Sequence, residues 1–262
     1  MVLSRCLALY DQGGRCMNNF YHTILINIHR IIYYILKTRI WMRHPERHSQ
    51  REKYGVARQM VSKMNRSAGY LTIVDGLDKL PREGGYMMYP NHQGKYDVPG
   101  IISTLEDPVS FVMDDDKAKM VLVSEFMQLV DGKSLDLHDI RQNIRLFREM
   151  AEEINTKGRR FILFPEGGYR ENNRNIVEKF KPGSFKVAKM AKCPIVPVAL
   201  VDSYKVYNSP HRGPVTTYVY YLDPINYEEY KDMKTPQIAE MVEGRIKDRI
   251  KKHLEENGSN TK

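Results

Sequence analysis

The sequence predicts an α/β fold: a mixed, largely parallel sheet flanked by helices, preceded by an N-terminal helical membrane-binding segment. Three observations predict it. From residue 70 onward, short apolar runs bounded by turn residues alternate with stretches of helical period. At 262 residues, with 42% hydrophobic and 28% charged side chains, the chain suits one folded domain with an appendage. Those fractions exclude a disordered chain, a collagen and a multi-span membrane protein. Finally, residues 1–66 hold 12 Lys and Arg against three acids, which is the whole net charge of +9; the remainder balances at 29 against 29. A basic quarter on a neutral body predicts that an anionic partner meets that quarter. We therefore divide the chain into a basic helical segment, 1–68, and an α/β domain, 69–262.

Residues 1–16 read as weakly structured, with Met17 an alternative start. Residues 20–42, FYHTILINIHRIIYYILKTRIWM, carry large apolar and aromatic side chains, basic residues at intervals and no acid. A bilayer span needs about 20 apolar residues with few charges, and Arg30, Lys37 and Arg39 interrupt this run. The reading is a helix lying among lipid headgroups, with Tyr33, Tyr34 and Trp41 as interfacial anchors. Residues 46–68 have the composition of a second basic helix. Strands follow at 70–81, 84–90 and 109–113, with a helix at 98–105. Residues 138–158 form a helix on the spacing of Ile140, Ile144, Phe147 and Met150, closed by Gly158. Residues 159–165 read as a buried strand, Pro182 opens a helix, and 193–201 and 216–222 are strands. A C-terminal helix is expected to bury one face made of Ile238, Met241, Val242, Ile246, Ile250 and Leu254. The three cysteines, Cys6, Cys16 and Cys193, form neither a disulfide framework nor a metal-ligand pattern, so no metal is expected.

In such sheets the reactive side chains lie on loops leaving the carboxyl ends of strands. The first candidate loop, YPNHQGKYD, holds His92 and, five residues on, Asp97. A histidine takes a proton near neutral pH, and a carboxylate on its other ring nitrogen fixes the tautomer. The second, FPEGGYRENNR, combines a tight turn at Gly167 and Gly168 with a carboxylate, Glu166, and a guanidinium, Arg170.

NHxxxxD followed some 70 residues later by FPEG resembles the glycerolipid acyltransferase family, in particular its 1-acyl-sn-glycerol-3-phosphate acyltransferases. VDGKSLD, with Lys133 at the usual arginine position, and KFKPGSFKVAKMAKCPIVPVAL extend the resemblance over about residues 70–202. FPEGGYR departs from the usual FPEGTR: Gly168 stands for threonine, Tyr169 for arginine, and Arg170 is displaced by one position. The resemblance implies acyl transfer from acyl-CoA or acyl carrier protein, with no cofactor, to the sn-2 hydroxyl of lysophosphatidic acid, giving phosphatidic acid. His92 would be the general base, oriented by Asp97. Backbone N–H groups near Gly167 would hold the oxyanion. Glu166, Gly167, Gly168, Arg170 and Lys133 would bind the glycerol phosphate.

The same chemistry places the protein at an anionic membrane surface, on the cytoplasmic face, through residues 1–68. Two rivals remain at this stage. One is acylation of another acceptor: glycerol 3-phosphate, a lysophospholipid or an amino-acid lipid. The other is a lipid-binding protein of the same fold without catalysis. No nucleic-acid partner is expected, because the positive charge is interleaved with Ile, Leu and Tyr and no nucleic-acid motif is present.

Overall fold

The computed structural model describes residues 19–136, 139–170, 174–208 and 213–258. The readings for residues 1–16, for Met17 and for a helix start at His138 lie outside these, as do residues 171–173 of the second loop. The core is a seven-stranded sheet of β1 (Tyr70–Asp75), β2 (Tyr86–Pro90), β3 (Ser110–Asp114), β4 (Lys133–Leu135), β5 (Arg160–Ile162), β6 (Ile195–Val201) and β7 (Val215–Tyr221). Its order is β1-β7-β6-β2-β5-β3-β4. Every pairing is parallel except β6 with β7, so the sheet is mixed and largely parallel as the alternation predicted.

Side chains alternate across the strands, and each face has its own core. On one face Met87, Tyr89, Phe161, Ile195, Ala199 and Val201 meet the helices Ile140–Lys157, Lys186–Ala191 and Thr235–Gly258. On the other, Tyr86, Met88, Phe111, Ile162, Val196, Val198 and Leu200 meet Gln50–Ala68, Asp97–Thr104 and Val123–Leu129. Several small elements escaped the sequence reading, among them one helix and one strand. Val123–Leu129 is a seven-residue helix and β4 has three residues, each too short to display a period.

The helix expected over 20–42 is two helices, α1 (Asn19–Ile26) and α2 (Ile28–Trp41), broken at Asn27. The buried Asn27 amide competes with the helical backbone. Its Nδ2 donates to the Thr23 carbonyl, while Oδ1 accepts from Arg30 Nη1 and from Ser67 Oγ of the following helix. That helix, α3 (Gln50–Ala68), opens with a Ser49/Glu52 capping box and ends at left-handed Gly69. Its Tyr54, Ala57, Met60 and Val61 belong to the sheet's own core, so the segment 50–68 folds as part of the α/β body. α2 turns Ile31, Tyr34 and Thr38 inward and leaves Ile32, Tyr33, Leu36 and Ile40 more than half exposed. No helix among the described residues is long and apolar enough to cross a membrane.

Candidate active site

Strands β5, β2 and β6 lie side by side and parallel, so their carboxyl ends open on one edge of the sheet. Three loops therefore converge there: 91–96 after β2, 163–181 after β5, and 202–203 after β6. Pro90 has no N–H to offer the ladder. Just past it, buried Asn91 acts as a substitute backbone: its Oδ1 accepts the Leu200 N–H at 2.7 Å and its Nδ2 donates to the Leu200 carbonyl at 3.1 Å. This clamps the start of the first loop to β6 and fixes where His92 emerges.

The chain then turns into the helix Asp97–Thr104, which carries Asp97 back beneath His92. His92 Nδ1 lies 2.7 Å from Asp97 Oδ2. That oxygen also accepts the Gln93 and Gly94 N–H groups, at 2.6 and 2.9 Å. Asp97 Oδ1 accepts from Ser203 Oγ. The Asp97 side chain is fully buried and that of His92 is 18% exposed. An ionised carboxylate accepts only, so Nδ1 carries the ring proton and Nε2 keeps the lone pair. The imidazole stacks on Phe164 at 4.1 Å and meets Tyr169 edge-on at 4.7 Å, which leaves it little rotational freedom.

Glu166 approaches from the β5 loop. Its Oε1 accepts the His92 N–H at 3.0 Å, locking the two loops together. Its Oε2 is buried and finds no partner among the described residues. Burial pushes the carboxyl up to about 8. The neighbouring charges of Asp97 and Glu178 push the same way, and the backbone donors of His92 and Glu178 oppose them. Burial thus favours the protonated form of Glu166 near neutral pH.

The structure gathers His92, Asp97, Glu166, Gly167 and Gly168 at one edge. Lys133 lies on the edge strand β4, where its ammonium is held by Glu149 and Glu153 at 2.8 and 3.0 Å, which ties β4 to the helix Ile140–Lys157. The Gly167 N–H donates to the Phe164 carbonyl and closes the turn. Arg170 extends from the loop with its side chain 81% exposed and its Nε 3.5 Å from Glu178.

Two residues were missed in the sequence. Lys181 is exposed, its N–H donates to the Pro165 carbonyl, and its ammonium lies so close over left-handed Gly167 that a Cβ there would collide with it. The KPG run carried that signal, unread. Ser203 stands 106 residues from Asp97, and no local pattern announces it.

Residues 72–201 match a family model described as acyltransferase. A 1-acyl-sn-glycerol-3-phosphate acyltransferase of Saccharomyces cerevisiae is 27% identical over 181 residues, covering 63% of this chain and 55% of its own. A probable 1-acyl-sn-glycerol-3-phosphate acyltransferase of Mycoplasma genitalium is 29% identical over 138 residues, covering 51% of this chain and 50% of its own. This chain spans about half the length of the curated relatives it matches. The crystal structure of the 1-acyl-sn-glycerophosphate acyltransferase PlsC from Thermotoga maritima superposes with a TM-score of 0.70 and 19% identity, over 89% of this chain and 92% of that one; this is a likeness of fold.

Proposed function

Residues 72–201 make this chain a member of the acyltransferase family, and on that premise we propose that it acylates the sn-2 hydroxyl of lysophosphatidic acid from a thioester donor, acyl-CoA or acyl carrier protein. The observation that carries the reading is the His92–Asp97 pair, held at 2.7 Å beside Glu166 with Nε2 free to take a proton.

His92 Nε2 accepts the hydroxyl proton as the alkoxide oxygen attacks the thioester carbonyl. Asp97 stabilises the resulting imidazolium. When the tetrahedral intermediate collapses, the C–S bond breaks and the thiolate takes the proton back from Nε2. The products are phosphatidic acid and a free thiol, and no cofactor enters. Lys181, with Arg170 on the same loop, offers the positive charge for the acceptor's phosphate, and Glu166 offers an O–H to an acceptor oxygen. Purified protein given lysophosphatidic acid and a long-chain acyl thioester should yield phosphatidic acid by product mass; no product from either donor would end this reading. One observation favours a second acceptor class. Tyr169 packs on His92 where a cation was expected, so the same assay should include glycerol 3-phosphate and lysophospholipids bearing a head group.

The acceptor and the product both reside in bilayers. The outward stripe of Ile32, Leu36 and Ile40 on α2, flanked by Lys37 and Arg39, suits a helix resting in an anionic headgroup layer. Burying each such side chain is worth about 1.5–3 kcal/mol. The triple substitution Ile32→Glu, Leu36→Glu and Ile40→Glu should therefore weaken flotation with anionic vesicles by at least about 10-fold. Equal flotation would refute the anchor.

A further inference from the structure

We propose that Ser203 is a positioning residue for acyl transfer: its hydroxyl holds Asp97 by Oδ1, so that Oδ2 stays on the His92 ring. The proposal rests on the acyl-transfer reading for its kinetic consequence, but not for its geometry.

Asp97 is buried and its two oxygens are served unequally. Oδ2 has three donors, the ring of His92 and the N–H groups of Gln93 and Gly94. On Oδ1 the donor is Ser203 Oγ. That hydroxyl has a single proton and two acceptors in reach, because Gln93 Oε1 lies 2.8 Å away. The surroundings decide which acceptor takes it. Gln93 Nε2 donates to the Leu200 carbonyl and to Asn175 Oδ1, both at 2.9 Å, so the Gln93 oxygen must face Ser203. There it already accepts the Ser203 backbone N–H at 3.0 Å. With Gln93 satisfied by the backbone, the hydroxyl proton goes to the ionised carboxylate, the stronger acceptor.

The backbone that presents Ser203 is itself held under constraint. Asp202 sits at φ +63°, a left-handed conformation that L residues adopt rarely. Asn175 grips it twice: Oδ1 accepts the Asp202 N–H at 2.9 Å, and Nδ2 donates to Asp202 Oδ1 at 3.0 Å. Lys205 takes the other carboxylate oxygen at 2.7 Å. The turn after β6 is thereby fixed in the one shape that directs Ser203 Oγ at Asp97. The β5 loop supplies Asn175, the β2 loop Gln93 and the β6 end Ser203, so all three converging loops contribute to holding one carboxylate.

Ser203→Ala would leave Asp97 Oδ1 buried without its donor, freeing the carboxyl group to rotate away from the ring. A lost hydrogen bond to a charged group corresponds to roughly a 10- to 100-fold effect. We expect kcat to fall by about that factor, with the acceptor's KM within about 2-fold of wild type. Ser203→Thr, which keeps the hydroxyl, should recover most of the rate. A second readout needs no substrate: the low-field proton resonance of the His92 ring Nδ1–H should be sharp in wild type, broadened by exchange in Ser203→Ala and restored in Ser203→Thr.

Wild-type turnover together with an unchanged ring-proton signal in Ser203→Ala would overturn the proposal. So would equal losses in the Ala and Thr proteins with an unchanged ring-proton signal. A wild-type protein that transfers no acyl group but shows the ring-proton response would sink the acyl-transfer reading and leave the Ser203–Asp97–His92 coupling standing.

Discussion

Alanine at His92 is expected to lower kcat for acyl transfer by about 10²- to 10⁴-fold, the range for loss of a positioned general base, in a protein that still folds. The imidazole lies between Phe164 and Tyr169 near the surface of the site, so its removal leaves an opening to solvent rather than a sealed cavity. Asp97→Asn separates two roles of the carboxylate. Its amide oxygen would occupy the Oδ2 position, because three donors converge there. The NH2 group would face Ser203, whose hydroxyl can then turn to Gln93 Oε1. Every partner stays satisfied and the ring keeps its tautomer; only the charge is lost. An adjacent opposite charge favours the imidazolium by roughly 10- to 1000-fold, so kcat should fall by about that factor with little change in thermal stability. Turnover within about 2-fold of wild type would mean that Asp97 orients the ring without stabilising its charged form. Undiminished activity in His92→Ala would remove the mechanism altogether.

The parts legible in the sequence are those whose cause is local. The Ile140, Ile144 and Phe147 spacing predicted a helix, and left-handed Gly158 closes it. The apolar runs at 84–90 and 193–201 predicted strands, and β2 and β6 have no exposed residue. His92 and Asp97 were legible because a single loop and helix turn joins them. Asn27 misled the reading for the opposite reason: the partner that makes a helix break worthwhile, Ser67, lies 40 residues away. The surroundings of Lys133 were not legible either: its place on an edge strand is set by pairing with β3, and two carboxylates of a later helix meet its ammonium. Ser203 and Lys181 reach the site only because β5, β2 and β6 are neighbours, a fact of strand order that no stretch of sequence displays.

Glu166→Gln should make the protein more stable than wild type above pH 8 and about equal to it below pH 4.5. The carboxyl is held at about 8 in the folded chain and titrates near its ordinary value, about 4.5, when unfolded. Between these values the folded state binds the extra proton, so stability falls as pH rises. The favourable contribution is complete below about 4.5, declines through the window and is gone above about 8. Three and a half pH units correspond to at most roughly 5 kcal/mol, and the glutamine has no such dependence. Thermal unfolding of the two proteins at pH 5 and pH 9 reads the difference directly; a gap that does not change with pH would show that Glu166 is ionised in the fold. The same substitution tests what the proton does in catalysis. Glutamine keeps an oxygen for the His92 N–H and places an N–H where the protonated Oε2 stood. Activity at pH 7 should therefore remain within about 10-fold of wild type, and the decline expected of wild type above pH 8 should be absent. Glu166→Ala removes both the tie to the His92 backbone and the donor, and should lose far more at every pH. If the glutamine and alanine proteins were equally impaired at pH 7, the acceptor would be reading a negative charge at Glu166, and the neutral-acid role would be wrong.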